Sequence, residues 1–254
     1  MSLFQVPPPT RYDLRFSVAG IPVRVHPLFW LISFLFGFSA NNILYTFLWV
    51  IAVFASILIH ELGHAFAFRR YGLRSSIVLH FAGGLTIPES VSWGSSWANV
   101  ALSPNQEIFI SLAGPFSGFI FAALLIGGVV VAGGSIAINW LLGFIPLPTL
   151  GGLPIGGVFL NVLVFYLLSV NIFWGLINLV PVYPLDGGNV ARYALLQYDP
   201  YGGVRKSLWV SVIAGAIVAL VGLVFLRSIY MALLFGFLAF QSYQTLQNRP
   251  GSGF

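Results

Sequence analysis

ILYTFLWVIAVFASILIHELGHAFAF, residues 43–68, is a continuous apolar run whose single charged residue is Glu61. As a helix rising about 1.5 Å per residue, it is long enough to cross the roughly 30 Å hydrocarbon core of a bilayer. Inside it, His60-Glu61-Leu62-Gly63-His64 reads as HExxH. That spacing puts two imidazoles on one helical face, where they can share a zinc ion. The Glu between them is the usual general base for a zinc-bound water. An ionisable group within a membrane span is costly and by default functional. The stretch therefore predicts a membrane helix carrying a metal-dependent hydrolytic centre. The plainer alternative is a pair of packing histidines hydrogen-bonded to neighbours.

Composition places the whole chain in the same solvent. Of 254 residues, 58% are hydrophobic and 7% charged, and mean hydropathy is +0.94. A soluble domain carries about 25% charged residues. The length fits one polytopic membrane domain with short loops. There is no cysteine, which excludes disulfides and thiolate metal sites. The net charge of +5 comes from eleven scattered Lys and Arg. This pattern points to orientation in the membrane rather than to nucleic acid. Residues 1–10 are proline-rich, lack the layout of a cleaved signal peptide and read as a tail.

Apolar runs at 27–38, 43–68, 108–132 and 159–180 give four spans, the first the weakest. Residues 208–240 give two more, folded near 222–228. The expected fold is an all-α polytopic membrane protein of about six transmembrane helices, with five as the fallback. Between helices two and three, residues 75–79 and 85–87 flank Gly83-Gly84, and Ile77, Leu79 and Phe81 alternate with other residues. This reads as a β-hairpin or small sheet. Residues 1–25 form a cytoplasmic N-terminal segment, 26–247 the catalytic membrane domain and 248–254 a tail. Arg11, Arg15, Arg24, Arg69, Arg70, Arg74, Arg192, Arg205, Lys206 and Arg249 fall on one side of this arrangement and Arg227 on the other. The bias puts both termini in the cytoplasm.

A catalytic zinc takes three protein ligands and an open position. With His60 and His64 as two, the candidates for a third are few: Asp186, Glu89, Glu107, His26 and His80. Glu107 also reads as a marker of the membrane boundary. Asp199, in Asp-Pro-Tyr-Gly-Gly, reads as a turn residue. Depth favours Asp186. His60 lies roughly 25 Å down its helix, near the cytoplasmic side, and Asp186 follows a span that ends on that side. Pro181 and Pro184 break the helix there, and Gly187-Gly188 allows close backbone approach. Asp186 reads equally as the N-cap of a helix starting near Asn189.

HExxH in one span, followed by Asn178-Leu179-Val180-Pro181 and Leu185-Asp186-Gly187 after a later one, resembles the site-2 protease family of intramembrane zinc metalloproteases. Ala113-Gly114-Pro115 is similar to the family's Ala-Gly-Pro element, and 20–27 resembles the start of the subgroup that processes a sporulation sigma-factor precursor. The resemblance covers most of residues 20–200. It implies one zinc ion per chain, held by His60, His64 and Asp186, with Glu61 as catalytic base. It also implies a role for Asn178 in steadying the scissile carbonyl or its oxyanion. Read bottom-up, Ala113-Gly114-Pro115 is a close-packing glycine at a helix kink. The substrate implied is a membrane-tethered regulator, such as an anti-sigma factor or a sigma-factor precursor, cut in a bacterial cell membrane. The spacing of the spans leads us to expect neither a PDZ domain between them nor a C-terminal CBS domain. The competing class is a divalent-metal transporter using the same His and Asp residues. It explains buried ionisable groups but not the Glu between the histidines.

Overall fold

The computed structural model describes residues 6–40, 42–88, 102–143 and 145–248. The chain divides into two compact units, residues 1–99 with 113–175 and residues 100–112 with 176–254.

The first unit begins with β1 (Leu14–Val18) and β2 (Ile21–Val25), an antiparallel hairpin. Its two-residue tip, Ala19-Gly20, has φ of 50° and 79°, the left-handed pair that matches the twist of flanking strands. Helix α1 (Pro27–Gly37) follows, capped by His26, whose side chain accepts from the Leu28 N–H. Then comes α2 (Ile43–Arg70), 28 residues long. Asn42 caps its start, accepting from the Leu44 N–H. Its end closes on Gly72, with φ 76°, where the N–H of Leu73 bonds Phe68 O and that of Gly72 bonds Arg69 O. This is the paired pattern of a Schellman cap. Strands β3 (Ser75–His80) and β4 (Gly83–Pro88) complete a four-stranded sheet in the order β1-β2-β3-β4.

The pairing of β2 with β3 is parallel, Val23 opposite Ile77 and Val25 opposite Leu79. Parallel neighbours need a crossover connection, and here the α1–α2 helical hairpin supplies it. The sheet is laid along the second half of α2. Ile21, Val23, Val25, Ile77 and Leu79 pack with Phe29, Ile57 and Ala65 into one buried cluster. Asp13 and Thr10 fasten the sheet's outer end: Arg24 Nη1 lies 3.0 Å from Asp13 Oδ2, and the Thr10 hydroxyl donates to Asp13 Oδ1 at 2.6 Å.

Helices α3 (Pro104–Val131) and α4 (Gly157–Asn178) are separated by a second, two-stranded sheet, β5 (Ser135–Leu141) paired with β6 (Ile145–Gly152). This region reads from sequence only as an uncharged loop. The second unit continues with α5 (Asp186–Tyr198), α6 (Gly203–Val224) and α7 (Ile229–Gln247). Ser228 caps α7, accepting from the Met231 N–H at 3.3 Å.

Five helices among the described residues are long and apolar enough to cross a membrane: α2, α3, α4, α6 and α7. The expected span at 27–38 is α1, 11 residues and therefore about 16 Å long, well short of a bilayer core. The split of 208–240 falls as expected, between Val224 and Ile229. Large apolar side chains face outward along these helices, Leu124 and Leu233 both 69% exposed, as lipid-facing residues are. The molecule is thus mostly helical with two small sheets.

Candidate metal centre

Helix α2 carries His60, Glu61 and His64, each buried. The Nε2 atoms of the two histidines lie 3.2 Å apart, one helical turn separating the residues. At that separation the two nitrogens can share a metal ion or a hydrogen bond between them. The walls around them are backbone. A Cβ on Gly114 of α3 would fall 2.2 Å from His64 Nε2 and 2.8 Å from His60 Nε2. A Cβ on Gly63 would fall 2.4 Å from the Ala113 carbonyl oxygen. Glycine at both places lets α2 and α3 approach and leaves the imidazole edges open. Ala113-Gly114-Pro115 is therefore close-packing backbone, as read from the sequence. The Ser117 hydroxyl bonds the Ile59 carbonyl at 2.9 Å, one residue before the first histidine. Trp174 of α4 closes another side, its ring centroid 6.5 Å from that of His60.

Glu61 is held by β4. Its Oε2 accepts from the Thr86 hydroxyl at 2.7 Å, and its carbonyl oxygen lies 3.0 Å from the same hydroxyl. Gly84 faces the carboxylate so closely that a Cβ there would come within 2.4–2.6 Å of Glu61 Cγ, Oε1 and Cδ. Gly83 is likewise pressed against Trp174. The two glycines, which the sequence pattern places between two strands, are the first residues of β4. The actual turn is Phe81-Ala82.

In the second unit, Asn178 is the last residue of α4 and is buried. Asp186 opens α5, whose cap position is Leu185, so Asp186 is inside the first helical turn and the helix begins before Asn189. A Cβ on Gly187 would fall 2.2 Å from the Leu179 carbonyl oxygen, and one on Gly188 2.4 Å from the Tyr183 nitrogen. These glycines let the 179–183 segment fold against the start of α5. His60, His64 and Asp186 form a group that could hold a metal ion. No other group of three or more His, Asp and Glu among the described residues is arranged to hold a metal ion. Two imidazoles and a carboxylate are a donor set that suits catalytic zinc, which leaves its fourth position open.

The remaining sequence candidates have other partners. His26 and His80 are buried at the inner end of the sheet, each accepting through Nδ1 from a backbone N–H two residues on. Burial, reinforced by His26 and Arg24, pushes the His80 pKa down. Glu107 is beside Tyr193 and Arg192; burial and that carboxylate push the Tyr193 pKa up. Asp199 accepts from the Gly202 N–H at 2.8 Å and pairs with Lys206 at 3.0 Å, the turn role expected of it. Glu89 lies outside the described residues. Sequence reasoning missed Thr86 and the close approach of Gly84, because both depend on the register of a strand packed across α2.

The family model described as Peptidase family M50 matches residues 48–221. The zinc metalloprotease MJ0392 of Methanocaldococcus jannaschii is 29% identical over 219 residues, which is 84% of this chain and 54% of that protein. Rip3 of Mycobacterium tuberculosis is 30% identical over 80% of this chain and 48% of its own. The chain therefore spans about half the length of these curated relatives. The solved structure of a site-2 protease from Methanocaldococcus jannaschii matches with a TM-score of 0.54 at 25% identity, over 96% of this chain and 99% of that one.

Proposed function

The chain belongs to peptidase family M50, and from that premise we propose that it is a zinc-dependent intramembrane protease that hydrolyses a peptide bond in or beside a transmembrane segment. The observation that carries the reading is the buried His60–His64 pair, with Glu61 between its members and fixed by Thr86. His60, His64 and Asp186 would hold one zinc ion, which would supply a Lewis acid for activating water and polarising the scissile carbonyl. Glu61 accepts the proton of the attacking water and delivers it to the leaving amine. The Thr86 hydroxyl keeps that carboxylate oriented. Asn178, buried at the end of α4, steadies the carbonyl oxygen as negative charge develops on it.

A substrate helix hides its amides in its own hydrogen bonds and must become extended before it is cut. Strand β4 is the end member of its sheet among the described residues, its one partner being β3. An unwound substrate adds to that open edge as a further strand, alongside Glu61. The substrate is a membrane-tethered regulatory protein, of the anti-sigma-factor or sigma-factor-precursor kind. Residues 26–247 form the catalytic region of a bacterial cell-membrane protein, and both termini face the cytoplasm. The site lies toward that side, because His60 and His64 lie in the half of α2 that ends at Arg69 and Arg70.

The deciding experiment compares the full chain with E61Q on a model transmembrane substrate. E61Q is expected to keep about one zinc per chain and to lose cleavage. Full cleavage by E61Q sinks the mechanism, and zinc flux into vesicles without cleavage by the native chain favours a transporter.

A further inference from the structure

A second concave feature lies where α2 ends, separate from the histidine pair. It is a cavity of about 350 Å³ bounded by the β1–β2 tip, the last turns of α2 and the segment leading into β3. Its lining combines two chemistries. Ile21 and Ala65 are buried in its wall, Leu73 is half-buried, and Arg69 and Arg74 are exposed cations. No lining residue is acidic.

The plain role of arginines here is to orient α2 and to offset its C-terminal dipole. That role does not require a cavity. The Schellman cap already satisfies the carbonyls of Phe68 and Arg69, so these guanidinium groups are not needed to cap the helix. Arg69 uses one N–H to bond the Ala19 carbonyl at 2.8 Å. A guanidinium has five such donors in a planar fork, which suits phosphate oxygens. Arg74 approaches from the chain that leaves the helix.

We propose that this cavity binds a phosphate group, gripped by Arg69 and Arg74. The apolar lining and the position at the end of a membrane-spanning helix favour the phosphate of an anionic phospholipid over phosphate free in solution. The bound group would staple the β1–β2 tip to α2. The sheet fixed in this way is the one whose last strand holds Glu61.

The test uses the full chain in a neutral detergent, with native mass spectrometry reading three probes: phosphatidylglycerol, diacylglycerol and inorganic phosphate. Phosphatidylglycerol is expected to bind at about one per chain, and diacylglycerol, which lacks the phosphate, to wash off. An arginine near an anionic lipid contributes about fivefold in affinity, so R69Q/R74Q should bind phosphatidylglycerol about 25-fold more weakly. R11Q/R15Q removes the same charge away from the cavity and should change binding by less than about twofold. Should R69Q/R74Q not fold, R74Q alone is expected to lose about fivefold. Inorganic phosphate displacing the lipid only at millimolar levels identifies the lipid as the source. Arginine-dependent binding of phosphate as tight as that of the lipid upholds the site and identifies the soluble ion. Equal retention of phosphatidylglycerol by R69Q/R74Q or R74Q and the native chain, or equal retention of diacylglycerol, overturns the proposal.

Discussion

Glu61 owes its position to Thr86 and Gly84, which no motif announces. The Thr86 hydroxyl, 2.7 Å from Oε2, donates a hydrogen bond to its carboxylate, and a hydrogen bond to a charged group is worth about 1.5–3 kcal/mol. T86V should therefore lower kcat about tenfold or more while leaving KM nearly unchanged, and T86S should recover most of the rate; steady-state kinetics on a cleavable transmembrane substrate distinguish them. Gly114 makes a different demand. A methyl group there would overlap both imidazole edges, so G114A is expected to reduce bound zinc below one per chain, as read by metal analysis of the folded protein. The histidines and Glu61 were legible because HExxH is a local, periodic signal on one helix. Asp186 was legible as a candidate through its depth and its Pro and Gly neighbours, and the family resemblance raised it above a cap. Thr86, Gly84 and Gly114 were not legible as site residues. Their roles arise from contacts across elements far apart in sequence, and nothing in a Thr or Gly alone encodes such a neighbour.

At the scale of elements, the long apolar helices were readable because composition alone separates them from short polar loops. The strands were harder. The β3–β4 hairpin showed itself through alternation at Ile77 and Leu79. β1 and β2 passed unnoticed because their pattern is short and Arg15 and Arg24 interrupt it. β6 holds Pro146 and Pro148, residues that ordinarily demote a strand, and survives because a two-stranded sheet consists entirely of edges. Leu79 is fully buried at the centre of the four-stranded sheet. L79A should destabilise the protein by about 2–5 kcal/mol, measured by thermal or denaturant unfolding in detergent. The fastening at Asp13 sets a pH window. Burial opposes its charge, yet the Thr10 hydroxyl and Arg24 outweigh this and bring its pKa from 3.8 to about 2. A lowered carboxyl stabilises the folded state above its unfolded value, and that contribution disappears as pH falls through the folded one. Melting temperature should thus drop between about pH 4 and about pH 2, and D13N should lack this component of the drop.

On the scale of the whole molecule, composition and hydropathy established a polytopic membrane protein, and five long helices meet that expectation. The count was ambiguous at 27–38 because apolarity does not report length in space: those residues begin beside β3, at the level of Ile57, and fold back along only part of α2. Since the native chain has no cysteine, single cysteines can report sidedness directly. Y201C and W140C are expected to react with an impermeant thiol reagent from opposite faces of sealed vesicles, Tyr201 lying exposed between α5 and α6 and Trp140 exposed on β5. Labelling of both from one face refutes the orientation. The parallel pairing of β2 with β3 carries a consequence for biosynthesis. The ribosome completes β2 before it has made any of α2, and β3 only after all of it. The early strand, already paired with β1, must keep its other edge free while a hydrophobic helix is threaded into the bilayer. If α2 enters the wrong way round, its partner emerges on the far side and the sheet can never close. A closed sheet thus marks a chain in which α2 entered correctly, and Glu61 meets Thr86 only there.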